Sequence, residues 1–141
     1  MRPGARGRQK PSSEAEQQYQ ADAALAARRP ELLDAARRAE SQLRQAQARR
    51  APVAELHRLA QDLDGALTAA MRAAFAAQRA EIGPRGYDDR IYRRKAKAKP
   101  RVHALTAEAE HLLTLRENHR LNGIPVVPPE PSPLASPVIE R

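Results

Sequence analysis

Apolar residues recur along the chain at alternating steps of four and three. Between residues 30 and 50 they are Leu32, Ala36, Ala39, Leu43 and Ala46. Between residues 53 and 82 they are Leu56, Ala60, Leu63, Leu67, Ala70 and Ala74, with Leu59, Met71 and Phe75 widening the stripe. Such spacing keeps one helical face apolar and has the form of a coiled-coil heptad seam. Arg37, Arg38, Arg44, Arg49 and Arg50 fall mostly off it, as solvated residues should.

The punctuation between the stripes sets the element boundaries. A first helix is expected from Ser13, where Ser13 and Glu16 fit a capping box, to Pro30, because the residue before proline is pushed out of the helical region. Its apolar face (Ala15, Tyr19, Ala23, Ala26) is weak. Pro30 then opens a second helix, a position where its missing N–H costs nothing. Ala51-Pro52 marks a short turn, and a third helix is expected from Val53 to Ile82, stopped by Gly83-Pro84. Gly65 within it costs about 1 kcal/mol relative to alanine and marks either a close crossing or a tolerated position. A short turn makes the second and third helices antiparallel neighbours, with the first laid against them. A fourth helix is expected to start between Pro100 and Thr106 and run to about Leu121, with Val102, Leu105, Ala109, Leu112 and Leu113 as its apolar face and Asn122-Gly123 as its end.

The fold class that follows is all-α: an alanine-rich antiparallel helical hairpin with flanking helices. Residues 1–11 are expected to be a disordered basic arm, 12–84 the hairpin domain, 85–101 a basic connecting segment and 102–122 the C-terminal helix. Residues 123–141, with six prolines, are expected to be an extended or disordered tail.

Composition qualifies the core that these helices can build. Of 141 residues 29 are alanine, while Leu, Ile, Val and Phe together number 24. That is below the roughly one-fifth at which an ordinary core becomes secure, so the monomer is expected to be marginal and a homo-oligomer or a bound partner becomes a natural supplement. There is no cysteine, which removes disulfides, thiolate metal sites and cysteine nucleophiles. No apolar run approaches the roughly 18 residues of a membrane span, and the basic N-terminus is followed by no apolar stretch of the secretory kind. A soluble cytoplasmic protein without membrane contact is the expectation, with association with a nucleoid or a virion as the alternatives.

The net charge of +8 is unevenly placed. Residues 12–84 balance ten arginines against ten carboxylates, whereas residues 1–11 hold four cations and residues 85–101 hold eight against Asp88 and Asp89. All four lysines lie in these two short basic segments. Clustered Arg and Lys hold phosphate backbones by releasing counterions. Arg85, Arg90, Arg93, Arg94, Lys95, Lys97, Lys99 and Arg101 are therefore the candidate phosphate contacts, with Tyr92 a candidate to stack on a base. The same cluster also fits an acidic protein surface, or a flexible loop that serves solubility. No helix-turn-helix is visible, so phosphate-dominated binding of DNA or RNA is favoured over sequence-specific reading.

Enzymatic chemistry finds little to stand on. His57, His103, His111 and His119 lack a metal-ligand motif such as HExxH, and the last three, eight residues apart, drift around a helix. Asp88-Asp89 sits among cations that would pair with it, leaving a metal-dependent nuclease a minor reading. No phosphate loop or nucleophile elbow appears, and no cofactor is implied. The expected function is a non-enzymatic helical accessory protein that binds nucleic-acid phosphates. The rival is a structural or scaffolding protein of a larger assembly, such as a virion or secretion apparatus, which binds protein partners through its heptad faces and proline-rich tail.

Overall fold

The computed structural model describes residues 10–122 and Val127. The expected basic arm, apart from Lys10 and Pro11, and the expected tail, apart from Val127, lie outside the described residues. Among the described residues six helices follow in order: α1 (Ser13–Ala27), α2 (Arg29–Ala48), α3 (Val53–Ile82), α4 (Arg85–Asp88), α5 (Arg90–Ala96) and α6 (Pro100–Asn122). There is no strand among the described residues, and the fold is all-α.

The longest helix organises the rest. At 30 residues α3 extends for about 45 Å, and α1, α2 and α6 all pack along it. Helix α2 turns back on α3 through residues 49–52. Arg50 takes a left-handed φ of 54° there. Its N–H donates to the Gln47 carbonyl and the Ala51 N–H to the Ala46 carbonyl. These two bonds close a Schellman motif, and its apolar contact is the buried pair Ala46 and Ala51. Helix α6 runs antiparallel to α3, since Thr106 meets Gln78 near one end and Arg120 meets Asp64 towards the other.

The break between α1 and α2 is a single residue. Arg28 keeps a helical conformation, with φ −88° and ψ −1°, and Pro30 occupies the first turn of α2. With one linking residue the two helices do not fold back on each other; they follow one another along α3. The N-cap of α1 is Ser12, whose Oγ accepts from the Ala15 N–H at 3.0 Å. The cap thus lies one residue before the expected Ser13.

The seam of α2 is buried as Leu33, Ala36, Ala39, Leu43 and Ala46, with Leu32 packed at its edge. From α3 come Leu59, Leu63, Leu67, Ala70 and Ala74, and from α6 Ala109, Leu112 and Leu115. Val127 belongs to the same core, and its N–H donates to Glu40 Oε1 at 2.8 Å. A second, smaller core joins Ile82, Ala96 and Val102 with Tyr92 against them. It fastens α5 to the junction of α3 and α6.

The connection 84–100 carries two short helices where only a connecting segment is expected from the sequence. Helices of four and seven residues cannot persist alone, so they leave no periodic signal. They form because Asp89 caps α5 by accepting from the Tyr92 N–H at 3.0 Å, and because Tyr92 and Ala96, four apart on one face, find the second core.

Glycine tests this packing in opposite directions. Gly65 is exposed, and an added Cβ there would meet nothing within 4 Å, so the position is tolerated and does not mark a close crossing. Gly65→Ala is expected to stabilise the protein by about 1 kcal/mol. Gly86 is buried, and its Cβ would lie 2.5 Å from Ile82 Cγ2, next to a stiff β-branched centre. Gly86→Ala is expected to destabilise by about 1–3 kcal/mol. Urea unfolding followed by far-UV circular dichroism reads both, and a destabilised Gly65→Ala protein would contradict the open surroundings described here.

Candidate nucleic-acid interface

Two clasps build the site at the C-terminal end of α3. Gly83 ends that helix with φ +101°, a conformation that L side chains rarely adopt, and lets the chain enter α4 beside α1. The first clasp then forms between α1, α3 and α4. Asp22 accepts from Arg79 Nε at 2.7 Å and Arg79 Nη2 at 3.0 Å, and also from the Tyr87 hydroxyl. Burial by itself would raise the Asp22 pKa, but the hydrogen bonds from Arg79 and Tyr87, together with the Arg79 charge, outweigh it and hold the carboxyl below the usual range. Burial, and then the bond to Asp22, push the Tyr87 phenol well above its ordinary pKa.

The second clasp joins the start of the described chain to α4. Asp88 Oδ2 accepts from the Ser12 N–H at 2.7 Å, and Asp88 Oδ1 from the Ser12 hydroxyl at 3.1 Å. Lys10 and Pro11 are thereby brought beside α5. Between them lies an open hollow of about 1020 Å³, lined by the cations Lys10, Arg85, Arg90, Arg93, Arg94 and Lys97, by Asp88 and Asp89, and by Ile91.

The candidate cations divide into two groups. Three are held internally. Arg85 sits 4.4 Å above the Tyr92 ring and 3.5 Å from Asp89, Arg93 donates to the Gly86 carbonyl at 2.7 Å, and Arg101 donates to Glu81 at 3.1 Å. Arg90, Arg94, Lys95, Lys97 and Lys99 are exposed and have no ion pair among the described residues. Of the nine candidates, Arg85, Arg90, Arg93, Arg94 and Lys97 line the hollow; Lys95, Lys99, Arg101 and Tyr92 do not. Tyr92 lies half-buried against the second core with Arg85 over its ring.

The arginines of the helical body contrast with this group. Arg29 donates to both Glu108 oxygens at 2.7 and 2.8 Å, and Arg120 to both oxygens of Asp64 at 2.6 and 3.0 Å. Arg28, Arg37, Arg44, Arg49, Arg58 and Arg116 pair with carboxylates close by in sequence. Of the ten arginines in residues 12–84, seven make ion pairs, and Arg38, Arg50 and Arg72 are exposed without one among the described residues.

Other candidate chemistry is not assembled. Asp88 is engaged by Ser12, and Asp89 by the α5 cap and Arg85. His57, His103 and His111 are exposed, whereas His119 shares a 3.0 Å hydrogen bond with the Ala60 carbonyl. No group of three or more metal-ligating side chains occurs among the described residues. No helix among them is long and apolar enough to cross a membrane. Sequence reasoning missed Ser12, Asp22, Arg79 and Ile91, and nothing in local spacing marks the pairing of residues 76 apart. Comparison with family models, curated proteins and solved structures finds no match to this chain.

The clasps make acid stability a direct readout. An unfolded aspartate titrates near about 4, and the folded Asp22 carboxyl lies lower. Its stabilisation is therefore complete above the unfolded value and is lost as pH falls through the folded one. Asp64, held down by the hydrogen bond from Arg120 against an opposing burial effect, behaves alike. The Tm is expected to stay level from about pH 7 to 5 and to fall below about pH 4. Asp22→Asn is expected to lower the plateau and flatten the fall. An unchanged acid profile in that variant would remove Asp22 as its source.

Proposed function

We propose that the protein is a non-enzymatic helical accessory protein that binds the phosphate backbone of nucleic acid. The contact surface is α5 and the turn after it, with Lys10 contributing from across the hollow. One observation carries this reading: seven of the ten arginines between residues 12 and 84 pair with carboxylates, while Arg90, Arg94, Lys95, Lys97 and Lys99, close together in α5 and the turn after it, have no ion pair among the described residues. Gathering like charges in one short segment costs free energy that an anionic ligand recovers, and a polyanion recovers it at several cations at once.

The second core gives the cluster a rigid base, since Tyr92 and Ala96 hold α5 while its other faces stay open. A cluster carried on a fixed helix loses less backbone entropy on binding than one on a flexible loop. The scaffold reading draws no comparable support, because the seams of α2 and α3 are filled within the chain by each other and by α6.

Fluorescence anisotropy of labelled DNA and RNA across a salt series tests the proposal. With about six to eight phosphates engaged, the log–log slope of affinity against salt is expected to be roughly −5 to −7. Changing Arg90, Arg94, Lys95, Lys97 and Lys99 together to alanine removes exposed side chains without internal partners, so the fold should persist and binding should fall by at least about a hundred-fold at low salt. A flat salt response, or full affinity in the variant, overturns the reading.

A further inference from the structure

Resting on that reading, the geometry points to a more specific ligand: we infer that the face takes double-stranded DNA, with Ile91 as an apolar wedge that enters a base step from the minor groove and bends the duplex. Ile91 is 68% exposed and lines the same hollow as Arg90, Arg94 and Lys97. On α5 it shares a face with Arg94 and Lys95, three and four residues on. The other large exposed apolar residues, Val53 and Leu121, stand at the far ends of α3 and α6. Among the described residues, Ile91 is the one of these three that lines the cationic hollow.

A branched aliphatic chain gains nothing from phosphate. It gains where something apolar covers it, and in a nucleic acid that is the stacked base step. Isoleucine is among the side chains that architectural proteins use to part a step and kink B-form DNA towards the major groove, while surrounding cations take the phosphates of the curved backbone. The neighbours of Ile91 are of that kind.

The aromatic residues argue against the single-stranded alternative, which depends on rings free to stack on bases. The chain has no tryptophan, one phenylalanine and three tyrosines. Phe75 packs against the main core, the Tyr87 hydroxyl is held by Asp22, and Tyr92 lies between Arg85 and the second core. Tyr19 is half-buried on α1. None of the four lines the hollow. An anionic membrane would also satisfy the charge, but surface-bound helices carry a continuous apolar face, and α5, seven residues long, exposes one isoleucine.

The test measures bending and affinity separately. A DNA duplex of about 30 base pairs, labelled at both ends, reports bending by energy transfer. Anisotropy reports affinity for the same duplex, for its single strand and for the matching RNA duplex. Liposome flotation with phosphatidylglycerol vesicles reports membrane binding. The wild-type protein is expected to raise energy transfer on duplex DNA and to prefer it to the single strand, the RNA duplex and the vesicles. Ile91→Ala, at an exposed position, is expected to abolish the rise and to weaken duplex binding about ten-fold, with the salt slope unchanged because no cation is lost. Salt-steep binding without bending, bending retained in Ile91→Ala, or tighter binding to the single strand each overturns the wedge and leaves phosphate binding standing. Binding to vesicles but to no nucleic acid overturns both readings.

Discussion

Alanine supplies much of the contact between α3 and the helices around it. Ala70, Ala73, Ala74 and Ala76 are buried on α3, and Ala36, Ala39, Ala46 and Ala109 on the helices that flank it. A methyl group lets two backbones come close and surrenders no rotamer freedom, yet each one removes little apolar area from water. The bundle can close only where small faces small, and it gains little to spare when it does. Leu33, Leu63, Leu67 and Leu112, all almost fully buried, concentrate the remaining apolar area in the middle of the bundle.

Ion pairs carry the periphery that such a core leaves weakly held. The Arg29–Glu108 pair is largely shielded from solvent, with side-chain exposures of 16% and 9%, and ties the start of α2 to α6. Removing one partner of a buried pair strands the other charge, at a cost of about 3–5 kcal/mol. The Arg79–Asp22 and Arg120–Asp64 pairs are more open, and exposed pairs contribute at most about 1 kcal/mol each. Their larger role is in register: Asp22 fixes how α1 meets α3 and α4, and so where residues 10–12 meet residues 88–97. Charge paired inside the bundle in this way leaves the densest run of cations without ion pairs in α5 and the turn after it.

Much of the architecture is legible in local pattern. The bounds of α3, the turn after α2, the start of α6 at Pro100 and many seam positions follow from spacing and from proline and glycine signals, because each depends on residues within a turn or two, whereas Leu56, Ala60 and Leu113 of the expected seams are only partly buried. Legibility stops where formation depends on distant contacts. Helices α4 and α5 exist through a cap and a small core assembled from Ile82, Tyr92, Ala96 and Val102, and Leu33 displaces Leu32 at the centre of the α2 face through its packing. Within the candidate interface the cations were visible as a run, but the run does not distinguish Arg85, Arg93 and Arg101, which have internal partners, from the five that have none.

The sequence by itself determined the helical class, the main helix boundaries and the two places where positive charge gathers, since propensity, periodicity and net charge are properties of short stretches of chain. Only the tertiary structure decided that Lys10 stands beside α5, that Asp88 is spent on Ser12, and that Tyr92 turns inward while Ile91 stays in water. Those outcomes depend on hydrogen bonds between residues 65 and 76 positions apart and on which face of a seven-residue helix reaches a core. Such choices are made by packing between distant parts of the chain, and no local pattern encodes them.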